Sequence, residues 1–244
     1  MKATNWEFTN RALIFGLIFG CSFPLYFFDH QMSTAVAAHW LASRLQMDLD
    51  LVVHLLLGIA AFLLITAALI RTWASAYLNA GVVYASQVKT ESLVADGPYR
   101  RVRNPLYFAN VLMAVGMGAM MSRPGFVLAV TAMTIFCYRL ILREESELLI
   151  SQGVPYQNYC RAVPRMWPSP WPCIPSAGRR PQWAEGFKAE SWYWGFAVAV
   201  TVFAVTLNVK LFFVILGASL ALFWVTSMAM QKKIHAEDPR KPEP

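Results

Sequence analysis

Apolar residues in this chain gather into six long runs: residues 11–28, 51–70, 105–122, 125–142, 191–207 and 211–230. Each is of the ~17–25-residue length that crosses a hydrocarbon core about 30 Å thick, so the pattern predicts six transmembrane helices. The second and last runs are nearly free of polar side chains. The first carries Pro24 late, which a membrane helix tolerates, and the fourth carries Arg139 near its end. The first run is too long and too mixed at its exit to be a cleaved signal peptide, and no small-residue cleavage site follows it.

The polar stretches between the runs predict the remaining elements. Residues 30–50, with Trp40, Arg44, Asp48 and Asp50, are expected to form an interfacial helix on the outer side. Residues 72–93 are expected to extend the second helix and then follow the inner surface, with Trp73, Tyr77 and Tyr84 in an aromatic belt. Residues 143–150 continue the fourth helix into the cytosol until Gly153 and Pro155 end it. The Pro- and Trp-rich stretch 164–181 excludes regular helix and inner strand, and reads as a rigid loop at headgroup level. Trp192, Tyr193 and Trp194 are expected to anchor the fifth span, and Asn208 and Lys210 to turn the last two spans into a hairpin.

Charge supports this layout. Arg44 alone separates the first two runs, Arg123 alone the third and fourth, and Lys210 alone the last two. The other connections and both ends are rich in Lys and Arg, as six spans with cytosolic termini require. Of 244 residues, 57% are hydrophobic and only 14% charged, with a mean hydropathy of +0.43. A soluble domain carries nearer a quarter charged residues. The net charge of +7 fits cytosolic loops against anionic headgroups, and no nucleic-acid motif is present. Cys21, Cys137, Cys160 and Cys173, like the four histidines, are scattered, so no metal site is expected.

Two polar clusters then stand out. Residues 96–108 place Arg100, Arg101, Arg103, Tyr99 and Tyr107 at the start of the third span, with Asn104 as N-cap and Pro105 as first helical residue. An anion is favoured at such a helix start. The second cluster runs from Arg139 through Arg143, Glu144, Glu145 and Glu147 to Tyr156, Tyr159 and Arg165. The third and fourth spans form a hairpin through residues 122–125, which brings the clusters together. Arg139, Arg143 and Glu147 share a helical face by their four-residue spacing, Glu144 lies beside them, and Glu145 points elsewhere. Taken alone, that face reads as a salt-bridge ladder with snorkelling arginines. Beside the arginine-tyrosine block it suits a zwitterionic ligand, carrying both an ammonium and a carboxylate.

Gly97-Pro98-Tyr99-Arg100 with Arg103-Asn104-Pro105 and Tyr107 resembles the Gly-x-Tyr…Arg-His-Pro-x-Tyr signature of the isoprenylcysteine carboxyl methyltransferase and phospholipid methyltransferase families. Glu144-Glu145, Leu148, Gly153, Tyr156, Tyr159 and Val163-Pro164-Arg165 resemble their second signature, in the expected order. The resemblance covers about residues 93–168. It implies an all-α polytopic membrane methyltransferase with S-adenosylmethionine enclosed on the cytosolic side. By position, Tyr99, Arg103, Asn104, Pro105, Tyr107, Glu144 and Glu145 are its expected cofactor residues, with Arg103 and Glu144 expected to be catalytic. Arg139, Arg143 and Tyr156 are the expected substrate contacts. The acceptor is expected to be lipophilic, either an isoprenylcysteine-like carboxylate or a lipid head group. Asn104 departs from the family histidine and cannot act as a base; Ala109 stands where many relatives have glycine.

A second resemblance is to membrane sterol reductases, which share the first block and a Tyr-Cys-x-x-Val-Pro ending matched by residues 159–164. It implies NADPH-dependent reduction as the alternative; the chain length and Glu144-Glu145 favour methyl transfer. The expected organisation is thus N-terminal spans and interfacial helix over 1–92, signature region over 93–168, Pro/Trp loop over 169–190, and C-terminal hairpin with basic tail over 191–244.

Overall fold

The computed structural model describes residues 1–78 and 95–236, with side chains as far as Leu222. The expected course of residues 79–94, with Tyr84 and Lys89, lies outside the described residues, as does the basic tail from 237 onward. Ten α-helices account for most of what is described: α1 (Asn5–Thr9), α2 (Arg11–Ser22), α3 (Ser33–Leu45), α4 (Leu49–Tyr77), α5 (Pro105–Gly118), α6 (Arg123–Gln152), α7 (Val154–Ala162), α8 (Trp183–Ala189), α9 (Ser191–Thr206) and α10 (Val209–Ala236). Short 3-10 turns occupy Phe23–Phe27 and Gly97–Arg100. Among the described residues the β pairing is one isolated bridge, Met32 with Ser122.

Each of the six apolar runs falls on a helix. Two helices, α4 and α6, are long and apolar enough to cross a membrane. Those over Arg11–Phe27, Pro105–Gly118, Ser191–Thr206 and Val209–Leu222 are shorter; the 14 residues of α5 rise only about 21 Å. Pro24 is one reason for shortening. The α-helix stops at Ser22, and Pro24 sits in the first turn of the 3-10 segment that follows.

α4 is the central post, packed against α5, α9, α8 and α3; α6 packs on α5 and α2, and α10 on α9. Small residues permit these close approaches. Ala60, Ala61, Ala67 and Ala68 on α4 meet Ala109 and Met113 of α5 and Ala197 and Val200 of α9 in one core. Gly116 shows how tight the packing is: a Cβ there would stand 2.8 Å from Leu64 and 3.0 Å from the Ala60 carbonyl. The expected hairpin of the third and fourth spans is present as α5 and α6. Ser122 caps α6 by accepting from the Gly125 N–H at 3.4 Å.

Residues 33–45 are helical as expected, and α3 ties to the α5–α6 turn through the Thr34 hydroxyl, which donates to the Ala119 carbonyl at 2.5 Å. α6 runs on to Gln152 and stops at Gly153, whose φ of 58° suits glycine. Pro155 terminates nothing: it lies in the first turn of α7, where its missing N–H has no partner to lose. Tyr193 differs from its expected place at the membrane interface. It is buried against α4 and α5, because its hydroxyl donates to Asn110 at 2.5 Å and its ring carries the Arg71 guanidinium at 4.2 Å.

Candidate functional site

The block before α5 is shaped by its glycine and proline. Gly97 adopts φ +58°, and the Tyr77 ring occupies the space a Cβ would need, 2.4 Å away. Pro98 starts the 3-10 turn that follows. Tyr99 is buried, and its carbonyl accepts from the Tyr159 hydroxyl at 2.8 Å. Burial pushes the Tyr99 and Tyr159 phenols well above their usual range, so both stay protonated hydrogen-bond donors. Tyr156 is buried beside Tyr159, ring centroids 5.9 Å apart, and is pushed up for the same reason.

The Pro/Trp loop is strapped along this block by main-chain bonds. Arg103 N–H donates to the Pro164 carbonyl at 2.9 Å, Ser169 N–H to Arg101 at 2.9 Å and Cys173 N–H to Arg100 at 2.7 Å. The Arg100 and Arg101 side chains return donors to the Ile174 and Pro170 carbonyls. Buried Asp96 closes the far end. Its carboxylate accepts from the Ser176 hydroxyl at 2.6 Å and from the Ala177 and Arg179 N–H groups at 3.0 Å each. The Ser176 hydroxyl leads in holding Asp96 below the usual carboxylate range.

The two adjacent glutamates of α6 face different partners, as consecutive helical positions must. Glu145 receives the Arg165 Nε at 2.9 Å, the Asn104 amide at 3.3 Å and the Arg103 Nη1 at 3.4 Å. Glu144 receives the Tyr107 hydroxyl at 2.5 Å. Asn104 occupies the N-cap position of α5, yet its side chain makes no capping bond. Its amide donates to Glu145 and, at 3.0 Å, to the Arg165 carbonyl. Arg103 is 10% exposed, and its Nε is buried with no partner among the described residues. A buried guanidinium donor left unmatched this way fits an anionic ligand group.

Of the expected site residues, Arg103, Asn104 and Glu145 meet directly, Tyr107 meets Glu144, and Tyr99 and Pro105 shape the block that carries them. Arg139 and Arg143 are each paired with a carboxylate of this chain. Arg139 Nη2 pairs with both Glu7 carboxylate oxygens at 2.8 and 2.7 Å. Arg143 pairs with Glu147 at 2.8 Å and lies over the Phe8 ring. Arg165, already part of the second polar cluster, completes the Glu145 pair. Two features were not anticipated as site components: Glu7 with its helix, and a buried network behind Tyr99. In that network Arg71 Nε and Nη2 donate to Glu190 at 2.5 and 3.1 Å, Ser75 donates to Glu190 at 2.5 Å, and Arg71 Nη1 donates to Asn110 at 2.9 Å. An asparagine inside an apolar run was the available sequence signal; its arginine and glutamate partners looked like loop charges. Among the described residues no three His, Cys, Asp or Glu side chains assemble as a metal site.

Residues 53–151 match the family model of phospholipid methyltransferases, within the isoprenylcysteine carboxyl methyltransferase-like group of membrane methyltransferases. The matched stretch runs from α4 to the end of α6 and includes Arg103, Asn104, Tyr107, Glu144 and Glu145. This supports a membrane methyltransferase. Two curated proteins are similar over a shorter length. The cobalt-zinc-cadmium resistance protein CzcN of Cupriavidus metallidurans is 36% identical over 90 residues, 35% of this chain and 40% of that protein. The nickel-cobalt-cadmium resistance protein NccN of Alcaligenes xylosoxydans xylosoxydans is 31% identical over 86 residues, again 35% of this chain and 40% of the relative. The chain thus spans 40% of the length of the curated relatives it matches. No solved structure matches.

Proposed function

We propose that this chain is an integral membrane methyltransferase that takes its methyl group from S-adenosylmethionine and gives it to a lipophilic acceptor reached from the bilayer. The reaction is carboxyl methylation of an isoprenylcysteine-like substrate or methylation of a lipid head group. The observation that carries this reading is the buried, unmatched Arg103 Nε beside Glu145, with the Tyr107–Glu144 pair one turn along α5, all inside the family-matched stretch. Bound S-adenosylmethionine would supply a methyl group on a sulfonium, activated for in-line displacement.

The chain's own residues then do the holding. Arg103 binds the carboxylate of the cofactor's methionine part, with Glu145, Asn104 and Arg165 fixing the guanidinium plane. Glu144, oriented by the Tyr107 hydroxyl, provides the carboxylate that favours a cationic group nearby. Tyr99 and Tyr156 stay neutral and exclude water, and the Pro/Trp loop covers the block from outside. Catalysis here is mainly the positioning of two ligands in a dry site. The protein crosses the membrane six times, with both termini and the site on the cytosolic side, and its partners are membrane lipids rather than nucleic acid. Calorimetric titration of the purified protein with S-adenosylhomocysteine tests the reading, and saturable binding at one site is expected. No binding, with NADPH binding in its place, would replace it by the reductase.

A further inference from the structure

The last turns of α4 carry more polar contacts than a packing post requires. Arg71, Thr72 and Ser75 are all buried there. The Arg71 guanidinium divides its donors between two directions. Nε and Nη2 go to Glu190, at the start of α9. Nη1 goes to α5, where it meets Asn110 Oδ1 at 2.9 Å and the Leu106 carbonyl at 3.4 Å. Glu190, fully buried, also accepts the Ser75 hydroxyl, and the Tyr193 hydroxyl reaches the same Asn110 oxygen from α9.

The two α5 contacts fall where that helix sets the site. Leu106 lies between Pro105 and Tyr107 in the first turn, three residues after Arg103, and Asn110 is one turn further along. Residues of the same short stretch meet the glutamates of α6: Arg103 and Asn104 reach Glu145, and Tyr107 reaches Glu144. The anchor also reaches the end of the Pro/Trp loop. Gln182 N–H donates to the Ala76 carbonyl at 2.7 Å, and a Cβ on Gly186 would stand 2.7 Å from the Thr72 carbonyl. Glu190 N–H then donates to the Gly186 carbonyl at 3.1 Å, so the carboxylate that holds Arg71 is fixed by the contact that returns the loop to α4. A buried ion pair is poor evidence of stabilisation, because apolar residues of similar volume do as well. What a forked guanidinium adds is direction: it fixes the rotation and height of the helix it grips.

We propose that Arg71, held by Glu190 and Asn110, is a positioning residue of the site: it sets the first turns of α5 so that Arg103, Asn104 and Tyr107 meet Glu145 and Glu144. This rests on the methyltransferase reading above. Arg71 and Asn110 lie inside the family-matched stretch, whereas Glu190 lies beyond its end at residue 151.

Thermal unfolding, S-adenosylhomocysteine binding and hydrogen exchange on the full chain in detergent test this together. Arg71→Met with Glu190→Leu removes the grip on α5 without leaving a buried charge. It is expected to melt near the wild type yet to bind S-adenosylhomocysteine about tenfold more weakly. The Phe108 amide, which donates to the Asn104 carbonyl, is expected to exchange faster, with exchange in the middle of α9 unchanged. Arg71→Lys decides the matter if the double variant fails to fold. It keeps a cation for Glu190 but has no fork to reach α5 as well, so it should show the same weakened binding and the same fast exchange. Wild-type affinity in Arg71→Lys, or in a double variant that melts near the wild type, overturns the assignment while the methyltransferase reading stands. Weaker binding with unchanged exchange at Phe108 overturns it too, because the loss then did not pass through α5. Absence of S-adenosylhomocysteine binding in the wild type overturns both.

Discussion

Arg103 carries the sharpest consequence of any single residue. Its main-chain N–H anchors the Pro/Trp loop through Pro164, and that bond survives any side-chain change. Its guanidinium, in contrast, is buried with Nε unmatched and only a 3.4 Å contact to Glu145. Removing it therefore leaves the loop in place and takes the donor from the ligand. Arg103→Ala is expected to cost about 2–4 kcal/mol in S-adenosylhomocysteine binding with little change in melting temperature. Arg103→Lys should recover only part of it. Measuring both quantities on one preparation decides the matter: a lower melting temperature with unchanged affinity would make the residue structural. Asn104 illustrates the limit of residue-level reading. Its N-cap position was legible from Asn-Pro, but its amide prefers Glu145 and Arg165 over its own helix, and that choice depends on residues some 40 to 60 positions away.

At the scale of elements, the Pro/Trp loop is ordered by what it pairs with, since prolines deprive it of regular structure of its own. Asp96 is its terminal clasp. Because the folded carboxyl lies below its ordinary value, its contribution is fully present above the unfolded pKa of about 3.9 and is lost as pH falls through the lower folded value. Protection of the Ala177 and Arg179 amides from hydrogen exchange, taken relative to the intrinsic rate at each pH, should thus hold from neutral pH down to about 4 and be lost below it. Asp96→Asn should exchange several-fold faster at neutral pH; equal protection in wild type and variant would show the clasp to be unimportant. The break between α6 and α7 has a similar local logic. Gly153 permits a positive φ and Pro155 tolerates a helix start, so one helix ends and the next begins within two residues, where the Gly-Pro signal alone suggested only an end.

For the whole molecule, the buried Arg71–Glu190 pair is the tie that joins α4, α5 and the α8–α9 junction behind the site. Glu190 is fully buried, and its oxygens are taken by Arg71 and Ser75. Glu190→Gln leaves Arg71 as an uncompensated buried cation and should destabilise the protein by about 3–5 kcal/mol. Replacing both partners with apolar residues, Arg71→Met with Glu190→Leu, should return most of that loss. Thermal unfolding in detergent of the three proteins checks this. If the double variant melts as low as Glu190→Gln, the pair contributes more than mutual neutralisation.

The sequence by itself determined the all-helical class, the six apolar helical segments, the α5–α6 hairpin and the two motif blocks, because each rests on local periodicity, composition or turn chemistry within a few residues. Side-chain partnership came only with tertiary structure. Two neighbouring glutamates part company because a helix turns 100° per residue, sending Glu145 to Arg103 and Arg165 and Glu144 to Tyr107. Arg143 pairs with Glu147 as the four-residue ladder spacing predicts, whereas Arg139 turns to Glu7, a partner supplied only once α1 folds over the end of α6. Arg71 and Glu190, 119 residues apart and each unremarkable where it stands, become one buried pair only because α4 and the start of α9 pack side by side, where an unpaired charge could not remain.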